Sequence, residues 1–379
     1  MRYLIGFIGV FVVVGVLWEV FETIILPRRV TRRLRLTRAM YLLTWWPWAG
    51  IARRIRNNRQ REKLLSFYGP LSLMFLLAIW AVGLLIGFAL IHWAAGTTFG
   101  TSISLSGIWV DLYYSGTTFF TLGLGDITPT NNAGRAITVA QAGVGIGFFA
   151  MIISYLPVLY QGFSRREVNI SLLDARAGSP PSAGELLLRH VDDMAGLDML
   201  LRDWERWAAE LMESHLSYPV LLYFRSQHEH QSWLGSLTAI LDASALVMVG
   251  IDGGPARQAQ LTFAMARHAV VDLAQATGIA PRAPDPDRLP PEDFRSLRSH
   301  LIENGVALKE GAMAETALVA FRGLYEPFVA SLAARLHLTL PPWRAPVDEA
   351  DNWRTSAWET GSSRITGLSR HDLGEHRDL

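Results

Sequence analysis

The sequence contains no cysteine, which excludes disulfides and thiolate metal sites anywhere in its 379 residues. A chain without cysteine fits an oxidising or a reducing compartment, so the redox compartment stays open. Alternating apolar and polar patterns typical of strands are scarce, and this scarcity favours an all-α protein. No nucleophile, base and orienting group stand out together, so the sequence gives little support to an enzyme.

Charge is nearly absent from residues 65–163, which contain one arginine and two aspartates. Residues 1–64 carry thirteen Lys and Arg against three Asp and Glu, whereas residues 164–379 carry 21 against 29. Half of the chain is hydrophobic and it has thirteen tryptophans, which is high for a soluble protein. We therefore expect a membrane protein with a basic segment near anionic lipid and a separate acidic, water-soluble domain.

Three apolar segments are long enough to cross a membrane as helices, namely Tyr3–Leu26, Leu65–Ala95 and Ala136–Gln161. The first lacks the small-residue cleavage site of a signal peptide, so we expect it to remain attached. Between the second and the third, Ile108–Phe120 is too short to cross and is predicted to be a re-entrant helix. The polar stretch Thr97–Ser106 before it is expected to be an external loop.

The re-entrant helix leads into Thr121-Leu122-Gly123-Leu124-Gly125-Asp126, where glycine recurs at every second position. Glycine adopts left-handed backbone conformations freely, so alternating glycines let successive carbonyls point to one side. Such a row of carbonyls, with the Thr121 hydroxyl as the innermost ligand, can replace the water around a dehydrated monovalent cation. In the alternative interpretation, the glycines form a turn and the threonines cap a helix. The flanking apolar helices favour the ion path, because irregular backbone at membrane depth needs a cavity to line.

Residues 121–126 resemble the Thr-Val-Gly-Tyr-Gly-Asp signature of potassium channels, with Leu122 for Val or Ile and Leu124 for Tyr or Phe. The resemblance covers about a quarter of the chain, from Tyr68 to Phe163, and it includes Pro129, Gly134-Arg135 and Gly145. It implies a tetrameric pore with K+ as the permeant ion and no cofactor. The residues that it implies as the ion-binding filter are Thr121, Leu122, Gly123, Leu124 and Gly125, with K+ held at the first four.

The resemblance also implies which residues support the filter. Tyr113 stands where the family has an aromatic residue that bonds the aspartate behind the filter, which implies a hydrogen bond from Tyr113 to Asp126. Thr117 occupies a pore-helix position that is often Glu in the family. Gly145 falls where the family commonly has the hinge glycine of its inner helix.

Two further features of the inner helix follow from its own residues. Pro157 removes a backbone hydrogen bond near the cytoplasmic end and is expected to kink the helix. Gly143 and Gly147 flank the hinge position, and we expect them to pack closely against neighbouring helices. Gating by bending at Gly145 and constriction near Pro157 is the resulting hypothesis.

The basic segment, residues 27–64, contains Arg29, Arg32, Arg35 and Arg38 at every third position, as in a voltage-sensor helix. A sensor also needs neighbouring membrane helices with countercharges, and only one span precedes these arginines. We expect them instead to contact anionic lipid or the acidic C-terminal domain. Met40–Ile51, which contains Pro47 and three tryptophans, is expected to lie flat at the lipid headgroups.

Glu19 and Glu22 are two carboxylates near the end of the first span, spaced so that they share one face. Intramembrane carboxylates are candidates for functional contacts, such as pairing with Arg28 or Arg29 or contacts to the pore unit. Because both acids lie within the last two turns, a position in the interface that reaches water is favoured.

Residues 164–340 are predicted to form a cytosolic helical domain, and residues 341–379 a flexible tail. Helical periodicity covers Glu185–Ser214, Gln231–Val249, Ala256–Thr277, Pro291–Lys309 and Met313–Leu336. The domain lacks the strand, glycine loop and helix of a nucleotide-binding regulatory domain. His228-Glu229-His230 and the nearby His215 suggest a metal site, but neighbouring residues on a helix diverge, so a solvated polar cluster is favoured.

The sequence thus predicts an all-α membrane protein with an N-terminal transmembrane helix (1–26), the basic segment, a pore domain (65–163), the cytosolic helical domain and the tail. One filter motif per chain requires a homotetramer. The positive-inside rule predicts a multi-pass protein of a cell membrane, such as a bacterial inner membrane, with the N-terminus outside and the C-terminus in the cytoplasm. We expect a potassium-selective channel subunit, with membrane lipids and an unidentified cytosolic regulator as partners and no nucleic acid. The alternatives are a weakly selective cation channel and a receptor with a non-conducting pore-like element.

Overall fold

The computed structural model describes residues 1–26, 36–101, 107–227, 230–309 and 312–345. Within these ranges the chain is mainly helical, with connecting loops, one two-stranded sheet and an isolated bridge between Ile251 and Leu308. The chain divides into two compact units. Unit 1 contains Met1–Gln161 and Ser217–Phe224, and unit 2 contains Gly162–Leu216 and Arg225–Leu379.

The first five helices of the described chain are long, apolar or both. They are α1 (Arg2–Val20, continued by a π-helical turn, Phe21–Ile25), α2 (Leu36–Arg54), α3 (Asn58–Ala95), α4 (Ile108–Phe119) and α5 (Asn132–Ala177). The outer helix α3 begins seven residues before the predicted start, because Asn57 caps it by accepting a hydrogen bond from Gln60 N at 3.3 Å. Hydropathy alone detects only the apolar part of such a helix.

Four described helical segments are long and apolar enough to cross a membrane, and their burial separates them into two kinds. In α3, in α5 and in α1 with its π-helical turn, 17% to 33% of the apolar window is buried inside the fold. The fourth, α8 (Trp233–Gly250), is 89% buried. The first three therefore present apolar surface to lipid, whereas α8 is the core helix of unit 2.

Close glycine contacts join α1 to α3. A Cβ added to Gly87 would lie 2.6 Å from Val13 Cγ2, and one added to Gly9 would lie 2.8 Å from the Gly87 carbonyl oxygen. Neither position has room for a side chain, so the two backbones approach as small residues permit in membrane helix pairs. The spacing Gly83-x-x-x-Gly87 is the sequence signal for this contact.

A short antiparallel sheet connects the two ends of the pore loop. Strand β1 (Phe99–Thr101) pairs with β2 (Ile127–Pro129), with Gly100 opposite Thr128. The sheet replaces part of the predicted external loop; three-residue strands are too short to give a recognisable alternating pattern.

Pro47 does not interrupt α2, which is one continuous helix from Leu36 to Arg54. Trp45 is buried, with its ring 4.7 Å from that of Tyr68, and Trp48 Nε1 donates to the Leu64 carbonyl at 3.1 Å. Only Trp46 of the three tryptophans is largely exposed. The prediction that all three lie at the lipid headgroups is therefore wrong for Trp45.

The remaining helices are α6 (Ala183–Leu188), α7 (Met194–Ser217), α8, α9 (Ala256–Thr277), α10 (Pro291–Glu303), α11 (Ala312–Gly323) and α12 (Glu326–Leu336). Helix α9 has its predicted bounds. The predicted helix Glu185–Ser214 is broken, and Asp193 caps the second half by accepting from Gly196 N at 2.7 Å. Helix α10 ends early because Gly305 adopts a left-handed conformation, φ +86°. Pro327 explains the break between α11 and α12.

The start of the predicted tail is folded rather than flexible. Trp343 is buried, and its carbonyl accepts a hydrogen bond from Gly184 N at 2.9 Å. Arg288 Nη2 also donates to the Pro341 carbonyl at 2.9 Å. Residues 346–379 lie outside the described residues.

Candidate functional site

The candidate filter begins where α4 ends. The amide of Thr121 donates to the Thr118 carbonyl at 3.1 Å, and the amide of Leu122 donates to the Thr117 carbonyl at 2.8 Å. These two bonds form a Schellman motif in which Thr121 takes the left-handed position that glycine usually occupies. A left-handed threonine costs roughly 1–2 kcal/mol, so this position is strained.

Left-handed backbone then recurs at every second residue. The φ angles are +56° at Thr121, +56° at Gly123 and +77° at Gly125. A helix cap needs only the first of these, so capping does not account for Gly123 and Gly125. The spacing of the glycines predicts left-handed backbone at positions 123 and 125, but it does not predict the positive φ of Thr121.

One side of this segment is open. Residues 121–125 are all exposed, with Leu122 at 59% and Leu124 at 63% of their full accessible area. A Cβ added to Gly123 or Gly125 would meet no atom within 4 Å. Within one chain, the segment is therefore held at its two ends and not along its length.

Asp126 anchors the second end. Tyr113 Oη donates to Asp126 Oδ2 at 2.8 Å, which is the hydrogen bond that the resemblance implies, and Ile127 N donates to Asp126 Oδ1 at 3.0 Å. Tyr113 packs against Val110, Tyr114 and Ile127. The aspartate thus ties α4 to the start of β2.

Thr117 contributes its backbone rather than its side chain. Its hydroxyl donates to the Tyr114 carbonyl at 3.0 Å, within the same helix, while its own carbonyl accepts from Leu122.

Gly134, beyond β2, packs too tightly for a side chain, since an added Cβ would lie 2.5 Å from Thr97 Cγ2. Arg135 Nε donates to the Pro129 carbonyl at 3.3 Å.

Gly145 packs against the end of α4. A Cβ there would lie 2.6 Å from the Phe119 carbonyl oxygen, whereas Cβ atoms added to Gly143 or Gly147 would meet nothing within 4 Å. Within the described chain, the close contact is therefore at Gly145, and the packing of Gly143 and Gly147 against neighbouring helices stays a prediction. Helix α5 continues through Pro157. The hinge and kink roles stay predictions.

A buried polar contact between α5 and α4 is not predicted from the sequence. Gln141 Nε2 donates to the Ser115 carbonyl at 2.8 Å and lies 2.6 Å from Ser115 Oγ. Tyr114 Oη lies 2.8 Å from Thr138 Oγ1. An amide inside an apolar membrane helix is the signal that identifies such a contact.

The two carboxylates of the first span are both engaged. Glu19 accepts from the Leu36 amide at 3.0 Å and from the Thr37 hydroxyl at 2.9 Å, so it caps the start of α2. Glu22 is buried and accepts from Trp18 Nε1 at 2.7 Å. The favoured interpretation, in which both reach water, is therefore wrong for Glu22.

The predicted arginine contacts fall mostly outside what the structure describes. Arg29, Arg32 and Arg35 lie outside the described residues, and Arg38 lies in the first turn of α2. Their contact with lipid or with the acidic domain stays a prediction.

His215 is buried rather than solvated, which corrects the favoured interpretation. Its Nε2 lies 3.2 Å from Arg166 Nη1, so this nitrogen is the unprotonated acceptor, and its Nδ1 lies 2.9 Å from the Leu211 carbonyl. Burial, followed by the charge of Arg166, holds the pKa of His215 well below its usual value. Among the described residues no three His, Asp or Glu side chains are grouped to hold a metal, and residues 228 and 229 lie outside them.

Comparison with known proteins agrees with this geometry. Residues 75–161 match a family model described as "Ion channel"; they include the second half of α3, the sheet, α4, residues 121–126 and most of α5. The chain is also 26% identical over 215 residues to a Bacillus subtilis (strain 168) protein described as "Uncharacterized membrane protein YdjJ". The match covers 55% of this chain and 61% of that relative, less than two thirds of its length. No solved structure matches.

The fold and the family match together define an all-α membrane protein. Residues 75–161 are the part of it that is similar to ion channel domains.

Proposed function

We propose that the protein is a subunit of a potassium-selective channel whose filter is residues 121–125. One observation carries the proposal, namely the left-handed backbone at Thr121, Gly123 and Gly125 in a non-helical segment anchored at both ends. Backbone of this kind presents successive carbonyls to one side, and rings of carbonyls can replace the hydration shell of K+. The Thr121 hydroxyl is the innermost ligand in this proposal.

The proposed assembly is a homotetramer. Each chain supplies one filter segment with an open side on which Leu122 and Leu124 are exposed. Four copies around a symmetry axis would cover that side and complete the rings, as closed cyclic symmetry requires. No cofactor takes part, and K+ is the permeant ion.

The proposed location is a cell membrane, with unit 2 in the cytoplasm. The basic residues from Arg53 to Lys63 adjoin the cytoplasmic end of α3 in this orientation, and the N-terminus lies outside. Anionic lipid is the proposed partner of the basic segment, and unit 2 is the proposed regulatory domain.

Flux through purified protein in liposomes tests the proposal. Gly123→Ala is expected to abolish K+ flux, because a left-handed alanine is strained and the required backbone is lost. Gly253→Ala is the matched control, since Gly253 has φ +69° and equally open space but lies in unit 2. K+ flux that survives Gly123→Ala as well as Gly253→Ala would contradict the proposal.

A weakly selective cation channel is the second candidate. The observation that favours it is Leu124, which is exposed and cannot donate a side-chain hydrogen bond to stiffen the filter. Reversal potentials distinguish the two functions. With equal K+ and Na+ on opposite sides, a potential near zero would favour weak selectivity, and one displaced toward the K+ equilibrium would favour K+ selectivity.

A further inference from the structure

The polar contact of Gln141 joins three helices behind the candidate filter. Gln141 and Ser115 are both fully buried. Gln141 on α5 donates to Ser115 on α4, and Ser115 Oγ donates in turn to the Leu85 carbonyl of α3 at 2.7 Å. The pore helix is therefore tied to the outer and the inner helix at one residue.

The contact belongs to one face of each helix. Thr138, Gln141 and Gly145 lie three or four residues apart on α5, and they meet Tyr114, Ser115 and Phe119 on α4, respectively. The Phe119 carbonyl lies against Gly145, and Phe119 is the last residue of α4. Gln141 thus fixes α4 one turn before the Schellman motif from which the candidate filter starts.

The same site contains polar atoms that hydrophobic packing alone would not retain. His92 on α3 is also fully buried; a side-chain hydrogen bond joins it to Gln141, and its Nδ1 lies 3.0 Å from Thr97 Oγ1. A buried polar group that loses its partner costs about 1–3 kcal/mol. Packing alone would favour leucine at position 141, so the amide requires another explanation, and positioning of α4 supplies one.

We infer that Gln141 is a positioning residue for the filter. Its amide holds the end of α4, and therefore the Thr117 carbonyl and the strained Thr121, in the geometry that K+ binding requires. It acts behind the pore helix and compensates for Leu124, whose side chain can form no hydrogen bond. The inference rests on the proposed function.

The test compares wild-type protein with Gln141→Leu in the full chain. Leucine fills a similar volume and removes the donor, so assembly is expected to persist. The Na+/K+ permeability ratio is expected to rise about five- to tenfold, and the K+ concentration that half-maximally stabilises the protein against heat to rise similarly. Stabilisation by K+ relative to Na+ is a readout that a merely structural role would not move.

Thr262→Val is the matched control. The Thr262 hydroxyl is fully buried in unit 2 and donates to the Leu201 carbonyl at 2.7 Å, so its loss removes a comparable hydrogen bond far from the pore sequence. Its permeability ratio is expected to equal that of the wild type. If Gln141→Leu fails to assemble, Ser115→Ala is measured by the same criteria with a smaller expected shift, and Ser115→Thr is expected to restore wild-type values.

The outcomes separate this inference from the proposed function. A wild type that conducts K+, beside a Gln141→Leu protein with the same permeability ratio and the same K+ dependence, would overturn the role of Gln141 alone. Equal loss of stability in K+ and in Na+ with an unchanged ratio would also overturn it. A wild type that conducts no cation would overturn the proposed function, and this inference with it.

Discussion

The buried polar side chains where α4 meets α5 in unit 1 are neutral, whereas the interior of unit 2 also contains charged ones. In unit 1 the partners are hydroxyls, an amide and carbonyls, as at Ser115 and Gln141. In unit 2 the fully buried Asp242 accepts from Arg288 at 2.7 Å, and Arg288 also donates to Glu326 at 3.0 Å. The contact between α4 and α5 avoids the desolvation penalty of ions near lipid, whereas the charged cluster of unit 2 offsets that penalty by close pairing.

The charged cluster of unit 2 also holds the start of the tail. Arg322 lies 3.0 Å from Glu326, and the guanidinium groups of Arg288 and Arg322 each lie 5.7 Å from the Trp343 ring. Burial raises the pKa of Glu326, and the two arginines offset part of that rise. Two regions of one chain thus use different means to satisfy buried polar groups, and they should respond differently to substitution.

Removal of Arg288 is expected to have the largest effect. Arg288→Met removes the arginine that pairs with Asp242 and one of the two arginines that pair with Glu326. Removal of one partner from a buried ion pair costs about 3–5 kcal/mol. Hydrogen exchange of the α8 amides in the full chain measures the loss. Arg202→Met is the control, since its ion pair with Asp198 is exposed and contributes at most about 1 kcal/mol. Both arginines lie in unit 2, so equal effects would contradict the larger contribution of the buried ion pair.

Gly145→Ala is expected to have the second largest effect on stability. The added Cβ would lie 2.6 Å from a backbone oxygen, and overpacking of this kind costs about 1–3 kcal/mol. Gly143→Ala, which has open space, is expected to stabilise α5 by about 1 kcal/mol instead. Thermal unfolding and single-channel recording distinguish the two roles of Gly145. Altered ion selectivity indicates packing against α4, whereas reduced open probability with unchanged selectivity indicates a hinge.

Local sequence signals were sufficient to predict several secondary-structure elements, but they were insufficient to predict contacts between elements. Helix α9 is predictable at both ends because Pro255 precedes it and Gly278, with φ +70°, follows it. The left-handed backbone at Gly123 and Gly125 is likewise predictable, because glycine adopts this conformation freely. The Gln141 contact joins residues 26 positions apart, and Trp343 packs against Arg288 and Arg322, which are distant from it in the sequence, so neither follows from periodicity.

Acid is expected to destabilise unit 2 more than the contact between α4 and α5. The pKa of His215 is lower folded than unfolded, so its contribution is intact above about pH 6.5 and is lost as the pH falls toward the folded pKa. The loss reaches about 1.4 kcal/mol per pH unit. Hydrogen exchange of α7 at pH 7.5 and 5.5 measures it, and His215→Gln is expected to flatten the dependence. His268→Gln, at an exposed histidine, should leave it unchanged.

Tyr114→Phe is expected to have the smallest effect, and it examines the neutral side of the comparison. The substitution removes one buried hydrogen bond to Thr138, which retains its own bond to the Gly134 carbonyl at 2.8 Å. Since no charge is left unpaired, the loss should be about 1 kcal/mol, well below that of Arg288→Met. Thermal unfolding in K+ measures it, with Tyr3→Phe at an exposed position as the control. A loss as large as that of a broken ion pair would show that the neutral contacts between α4 and α5 act as one coupled network, because isolated bonds between uncharged groups do not reach that magnitude.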